Sequence, residues 1–84
     1  MRSGTVKEVN SRRGMVGILT EDDAFTIIEL LSEDEFQVGD FLTWEDGYGM
    51  GHTDYRNVTK GFVAEVYVQN HSVHASLLRV QLQV

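Results

Sequence analysis

The chain has 84 residues, a formal net charge of −6, no cysteine, no proline and eight glycines. A chain this short makes one domain with a thin core, because a fold of its size buries only about 60–65% of the surface that its unfolded chain exposes. That excludes a large enclosed active site, and the lack of cysteine excludes a disulfide framework, a thiolate metal site and a cysteine nucleophile. The same lack points to a reducing, cytoplasmic setting. No run of about 18 apolar residues signals a membrane span, and the N-terminus has no apolar leader core.

In chain order, Thr5–Val9 reads as a first strand, and the polar, glycine-closed turn 10–14 leads into a second at Met15–Leu19. Two such runs joined by about five residues that include Gly form a β-hairpin. Glu21-Asp22-Asp23 turns the chain into a third strand, 24–30, rich in β-forming side chains. Ser32-Glu33-Asp34-Glu35 has the spacing of a capping box, but no apolar-periodic stretch follows, so it predicts a single helical turn. Phe41–Glu45 is a fourth strand, dense in aromatics. The segment 46–53, with Gly47, Gly49 and Gly51, is a loop, and Tyr55–Thr59 is short and ambiguous. Phe62–Gln69 alternates cleanly, with Phe62, Ala64, Val66 and Val68 on one face. Residues 72–84 form a C-terminal extension. Val73, Leu77, Val80 and Val84 recur at helical spacing behind a capping Ser72, while Leu78, Val80, Leu82 and Val84 also alternate with Arg79, Gln81 and Gln83 as a strand does. Helix propensity favours a short helix, with a sixth strand as the alternative.

This order predicts a mainly β, single-domain fold: a small five-stranded Greek-key barrel of the OB type with a short C-terminal helix. Closure removes the exposed edges that a small open sheet presents.

The charge is polarised along the chain. Arg2, Lys7, Arg12 and Arg13 against Glu8 give the first twenty residues a net +3. Residues 21–46 carry ten acidic and no basic side chains, and the remainder nets +1. The whole protein repels polyphosphate at long range. A basic first hairpin still reaches phosphates inside a Debye length of about 8 Å.

Gly4-Thr5-Val6-Lys7, then Asn10 and Arg13-Gly14, resembles the opening of the cold-shock domain family. Thr20-Glu21-Asp22-Asp23 and Val38-Gly39-Asp40 are similar to later turns of that family, so the likeness covers roughly the first 45 residues. The resemblance implies an OB barrel that binds single-stranded nucleic acid on aromatics displayed by its first three strands, where each stacked base supplies about 1–3 kcal/mol. At the positions that match those aromatics the chain has Glu8, Met15, Gly17, Thr26 and Ile28, while Val6, Val9, Val16, Ile18, Phe25 and Ile27 match the inward positions. The expected stacking surface is therefore absent, with a carboxylate placed within it.

The sequence thus predicts a noncatalytic binding module without cofactor or metal, and no small-molecule substrate is evident. The first expectation is a protein partner or homodimer docked on a face comprising Glu8, Met15, Thr26 and Ile28. An apolar patch of Met15, Ile28 and Tyr67 rimmed by charge suits such a role. The alternative is weak, salt-sensitive single-stranded DNA or RNA binding through phosphate contacts of Lys7, Arg12 and Arg13, with Tyr48, Tyr55 and Tyr67 as a relocated stacking surface. His71 and His74, three apart, would share a helix face and with His52 or Asp54 make a three-ligand metal set. No accompanying motif supports that set, and surface histidines are the simpler expectation.

Overall fold

A computed structural model describes residues 1–84 with the exception of Glu33, Asp34 and Asp46. Its elements are β1 (Arg2–Asn10), β2 (Met15–Thr20), β3 (Phe25–Leu30), β4 (Phe41–Trp44), β5 (Gly51–Asn57), β6 (Phe62–Val73) and α1 (Leu78–Leu82), the last preceded by one 3-10 turn at Ala75–Leu77. The strands close into a barrel in the order β1-β2-β3-β6-β5-β4, and every neighbouring pair is antiparallel. The spatial run β4-β1-β2-β3 is a Greek key, and β5 and β6 fill the gap between its ends.

The fold class matches the expected small barrel with a C-terminal helix, but the strand count is six rather than five. Parity accounts for the all-antiparallel closure: directions alternate around the ring, and only an even number of strands closes without a parallel pair. The additional strand is β5, which begins at Gly51 and so takes residues 51–53 from the expected loop. His52, Asp54 and Arg56 face outward, and Tyr55 is its one large inward apolar side chain. With a single apolar residue inside, the strand carries almost no alternation signal. The capping-box reading at Ser32–Glu35 lies partly outside the described residues.

The barrel interior holds Val6, Val16, Ile18, Ile28, Leu42 and Val66, with Trp44 stacked on Tyr55 at 4.3 Å between ring centroids. A part-buried ionic cluster joins two of the connections between strands. The Asp40 carboxylate accepts from the Gln37 amide, from Asn57 Nδ2 at 2.8 Å and from Lys60 Nζ. This ties the β3–β4 connection to the β5–β6 turn, where the chain crosses over to start the fourth Greek-key strand. Burial acts to raise the Asp40 pKa, but the bonds from Lys60, Gln37 and Asn57 outweigh it and hold the carboxyl below its ordinary value.

The C-terminal extension differs from its expected form in three respects. β6 runs on to Val73, so helical structure starts later than Ser72. The cap is His74, whose Nδ1 accepts from the Ser76 amide at 3.1 Å. The buried helix residues are Leu78 and Leu82, and Leu77, Val80 and Val84 are exposed. Gln83, left-handed at φ 63°, ends the helix by bonding back to the Arg79 and Val80 carbonyls. Among the described residues no helix is long and apolar enough to cross a membrane.

Candidate interaction face

The outer surface of β1–β2–β3 is set by two registers. In the first hairpin Val6 pairs with Ile18 and Glu8 with Gly17, so Lys7 is the extra residue of a β-bulge. The bulge lets Val6 and Val9 both face the interior although they are three apart, and it puts Glu8 on the outer surface with Met15 and Gly17. In the second hairpin Val16 pairs with Ile28, Ile18 with Thr26, Gly17 with Ile27 and Leu19 with Phe25. Ile28 and Thr26 therefore share the inward face of Val16 and Ile18, while Phe25 and Ile27 point outward.

This corrects the expected face. Thr26 and Ile28 are 1% and 0% exposed, within the barrel wall, and belong to no surface. A strand reading Phe-Thr-Ile-Ile carries an apolar residue on either phase, so period-two alternation cannot choose between them, and a slip of one residue exchanges the faces. The true outer set is Glu8, Met15, Gly17, Leu19, Phe25 and Ile27. It does include one aromatic, Phe25, so the outer surface is not stripped of rings as expected.

That outer set is covered by the chain's own tail. Met15, Phe25, Ile27, Val73, Leu78 and Leu82 form a second apolar cluster outside the barrel, with Leu19 at its edge. Gly17 makes the seat. A Cβ there would stand 2.5 Å from Leu78 Cδ1 and 3.4 Å from Leu82 Cδ1, so only a glycine leaves the two leucines in place. Asn10 Nδ2 donates to the Leu82 carbonyl at 2.8 Å and reaches the Gln83 carbonyl at 3.3 Å, serving acceptors that the helix end leaves unpaired. Glu8 pairs with Arg79 at 3.7 Å. Gly17, Asn10, Leu78 and Leu82 are the residues that sequence reasoning missed; a glycine inside an apolar strand was the one available signal for a close approach.

The three basic candidates lie beside this seat. Lys7, Arg12 and Arg13 are all exposed, and none takes part in an ion pair among the described residues. Arg12 and Arg13 line a groove of about 320 Å³ with Asn10, Gln83 and Val84. Arg13 also borders a second groove of about 280 Å³ with Met15, Glu29, Gln69, Gln81 and Gln83. The tyrosines do not assemble with them. Tyr55 is in the core, Tyr67 packs edge-on against His52 at 5.1 Å, and Tyr48 lies under the Arg2 guanidinium at 4.2 Å. The expected Met15–Ile28–Tyr67 patch is likewise absent, since Met15 and Ile28 are buried.

The histidines are engaged separately. His71 ties Gly49 of the 47–50 loop to the barrel, beside the bonds of Trp44 to Gly47 and of Tyr48 to Arg2 and Asp22: Nδ1 meets the Thr26 hydroxyl at 2.8 Å and Nε2 meets the Gly49 carbonyl at 2.9 Å. A carbonyl only accepts, so the network assigns the proton to Nε2. His74 caps the tail, and His71 and His74 do not share a helix face. A groove of about 400 Å³ lies between Glu45, His52, Thr53, Asp54 and Glu65, and among the described residues no group of three His, Cys, Asp or Glu is arranged to hold a metal. In the acidic turn, Asp22 bonds to Thr20, accepts from the Tyr48 hydroxyl at 3.1 Å and pairs with Arg2 at 3.4 Å. The Thr20 bond, followed by Tyr48 and Arg2, outweighs burial and lowers the Asp22 pKa.

No family model, no curated protein and no solved structure matches the chain.

Proposed function

We propose that the chain is a noncatalytic binding module of the cytoplasm that associates with a protein surface, in the first place with a second copy of itself, over the tail-covered face of β1–β2–β3. One observation carries this reading: the tail has apolar side chains in solvent as well as on its seat. Leu78 and Leu82 are buried in the seat, while Leu77 in the turn before the helix, Val80 within it and Val84 after its end are each half or more exposed, Val80 at 70%. Exposed apolar side chains close together in sequence mark an interaction surface. A second copy suits them for two reasons. An apolar patch is complementary to itself across a two-fold axis. Residues 70–84 also carry a single charged side chain, Arg79, so two chains of net charge −6 can meet there without bringing acidic side chains of this stretch together.

Sedimentation or light scattering from micromolar to millimolar protein tests the reading. Mass should rise toward the dimer, more readily at high salt, because screening weakens the repulsion between like-charged copies. Val80→Asp should return the protein to monomer. A monomer throughout that range refutes self-association.

A second reading is favoured by the exposed Lys7, Arg12 and Arg13, which take part in no ion pair among the described residues: weak single-stranded DNA or RNA binding through phosphates. Its salt dependence has the opposite sign, since phosphate contacts release counterions and weaken as salt rises. A labelled oligonucleotide at about 50 mM salt should bind the wild type and lose affinity with Lys7→Gln, Arg12→Gln and Arg13→Gln together. No binding at that salt ends this reading.

A further inference from the structure

We infer that in the dimer the two copies exchange their C-terminal tails, so that residues 73–84 of each seat on the β1–β2–β3 face of the other. The inference rests on the self-association reading and specifies how that association is built.

Three observations lead to it. First, the contacts that hold the tail are indifferent to chain connectivity. Leu78 and Leu82 sit over Gly17, Asn10 bonds to carbonyls 72 and 73 residues away, and Arg79 pairs with Glu8. None of these depends on the segment that joins tail to barrel, so a neighbouring copy offers the same seat. The cap that starts the helical structure, His74 to Ser76, lies within the tail and travels with it.

Second, the joint is strained. Ser72 has φ 56°, a left-handed conformation that a serine rarely adopts, immediately before Val73, the first buried residue of the tail. It sits where β6 bulges against β3: Phe25 pairs with Val73 and Ile27 with Asn70, so His71 and Ser72 stand opposite Thr26 alone. Extending Ser72 releases the strain and swings the tail off its own barrel. Short hinges under strain favour exchange of an identical element between copies.

Third, the tail has no independent existence as a helix. Five residues are far below the length of about 12–15 at which an isolated helix becomes marginal in water, so a released tail folds only on a face. In the closed monomer it takes its own, where the short joint keeps its effective concentration high. In the dimer the released strain and the burial of the exposed Leu77, Val80 and Val84 side chains favour the exchanged arrangement.

Two experiments test this. The first mixes a blocked-face copy, Gly17→Val, with a broken-tail copy carrying Leu78→Asp and Leu82→Asp. Each alone should be monomeric at a concentration where the wild type is dimeric, and the mixture should give a one-to-one heterodimer, since one intact tail then meets one intact face. If the mixture stays monomeric while both variants are folded by circular dichroism, exchange is overturned.

The second experiment holds even where those variants misfold. The chain has no cysteine, so Asn10→Cys with Gln83→Cys introduces one unique pair beside the Asn10–Gln83 contact. The dimer fraction is isolated by gel filtration, oxidised and run on a non-reducing gel. Exchanged tails give a covalent dimer. Covalent monomers from a dimer fraction overturn exchange and leave self-association standing, whereas a wild type without any dimer fraction removes both.

Discussion

Replacing Leu82 by alanine tests whether the tail is an integral layer of the fold. Leu82 is 0% exposed and packs in the outer cluster with Met15, Phe25, Ile27, Val73 and Leu78. Full burial of a leucine contributes about 1.5–3 kcal/mol by transfer alone. Buried leucine-to-alanine changes cost about 2–5 kcal/mol once the residual cavity is counted. The seat is one side chain deep and roofed by a short segment, so it collapses easily, and the expected loss is about 2–3 kcal/mol. Urea unfolding followed by Trp44 fluorescence reads it, because Trp44 lies in the barrel core on Tyr55, away from the outer cluster, and so reports the barrel itself. The measurement is made at low protein concentration, since association would make stability depend on concentration. Val80→Ala, at an exposed position on the same helix, serves as the control and should stay within about 0.5 kcal/mol. If Leu82→Ala undocks the tail, the unfolding slope falls too, because less surface remains to be exposed. A loss below about 0.5 kcal/mol at unchanged slope would refute the account of the tail as the cover of this face.

The remaining predictions concern the barrel. The folded pKa of Asp40 is lowered, so its contribution is present above the ordinary carboxylate range and is lost as pH falls through the folded value. Asp40→Asn should cost about 1–3 kcal/mol at pH 7, and the gap to wild type in urea midpoints should narrow below about pH 4; a gap constant down to pH 3 would remove the carboxylate from that role. His71→Ala removes both bonds to Thr26 and Gly49, so amide hydrogen exchange in residues 47–50 should speed up by about tenfold or more, with little change elsewhere. Gly4→Ala should be the most damaging glycine substitution in β1–β2. Its Cβ would lie 2.7 Å from the Leu19 carbonyl oxygen, a backbone atom that cannot yield, and the expected cost is about 2–3 kcal/mol in thermal or urea unfolding. Gly47→Ala meets only the flexible Arg2 side chain at 3.1 Å and should be tolerated.

Much of the barrel was legible because its strands carry their own signals. Thr5–Val9, Met15–Leu19 and Phe62–Gln69 all fall on strands, Phe41–Glu45 does so up to Trp44, and Trp44 lies in the core as an aromatic-rich strand implies. What could not be read has identifiable causes. β5 shows almost no alternation, because its partners in the barrel supply the burial that its own side chains do not. The phase of β3 is undetermined by its residues, since Phe25 and Ile27 are as suited to an interior as Ile28. The tail offers two overlapping apolar sets, and choosing between Leu77–Val80–Val84 and Leu78–Leu82 requires knowing where β6 ends, which the bulge at Ser72 decides. The candidate site depended on those last two features, and for that reason it was the part read least well.

The individual residues of the outer face argue for what kind of ligand it takes. A surface for bases needs exposed rings and tolerates no carboxylate among them, because stacking supplies its affinity and phosphates accompany every base. This face has Glu8 on it, and its one ring, Phe25, lies beside Val73 in the apolar cluster that the tail completes. A surface for a short helix needs different things: a hollow for apolar knobs, an acid for a basic side chain and donors for the carbonyls at the helix end. Gly17 supplies the hollow, Glu8 meets Arg79, and Asn10 supplies the donor. Glu8 is placed for the tail's Arg79, and Gly17 is what lets Leu78 and Leu82 approach. Glu8, Asn10, Met15 and Gly17 on these two strands all meet the tail, which is why the chain's own C-terminal segment is the occupant this surface holds.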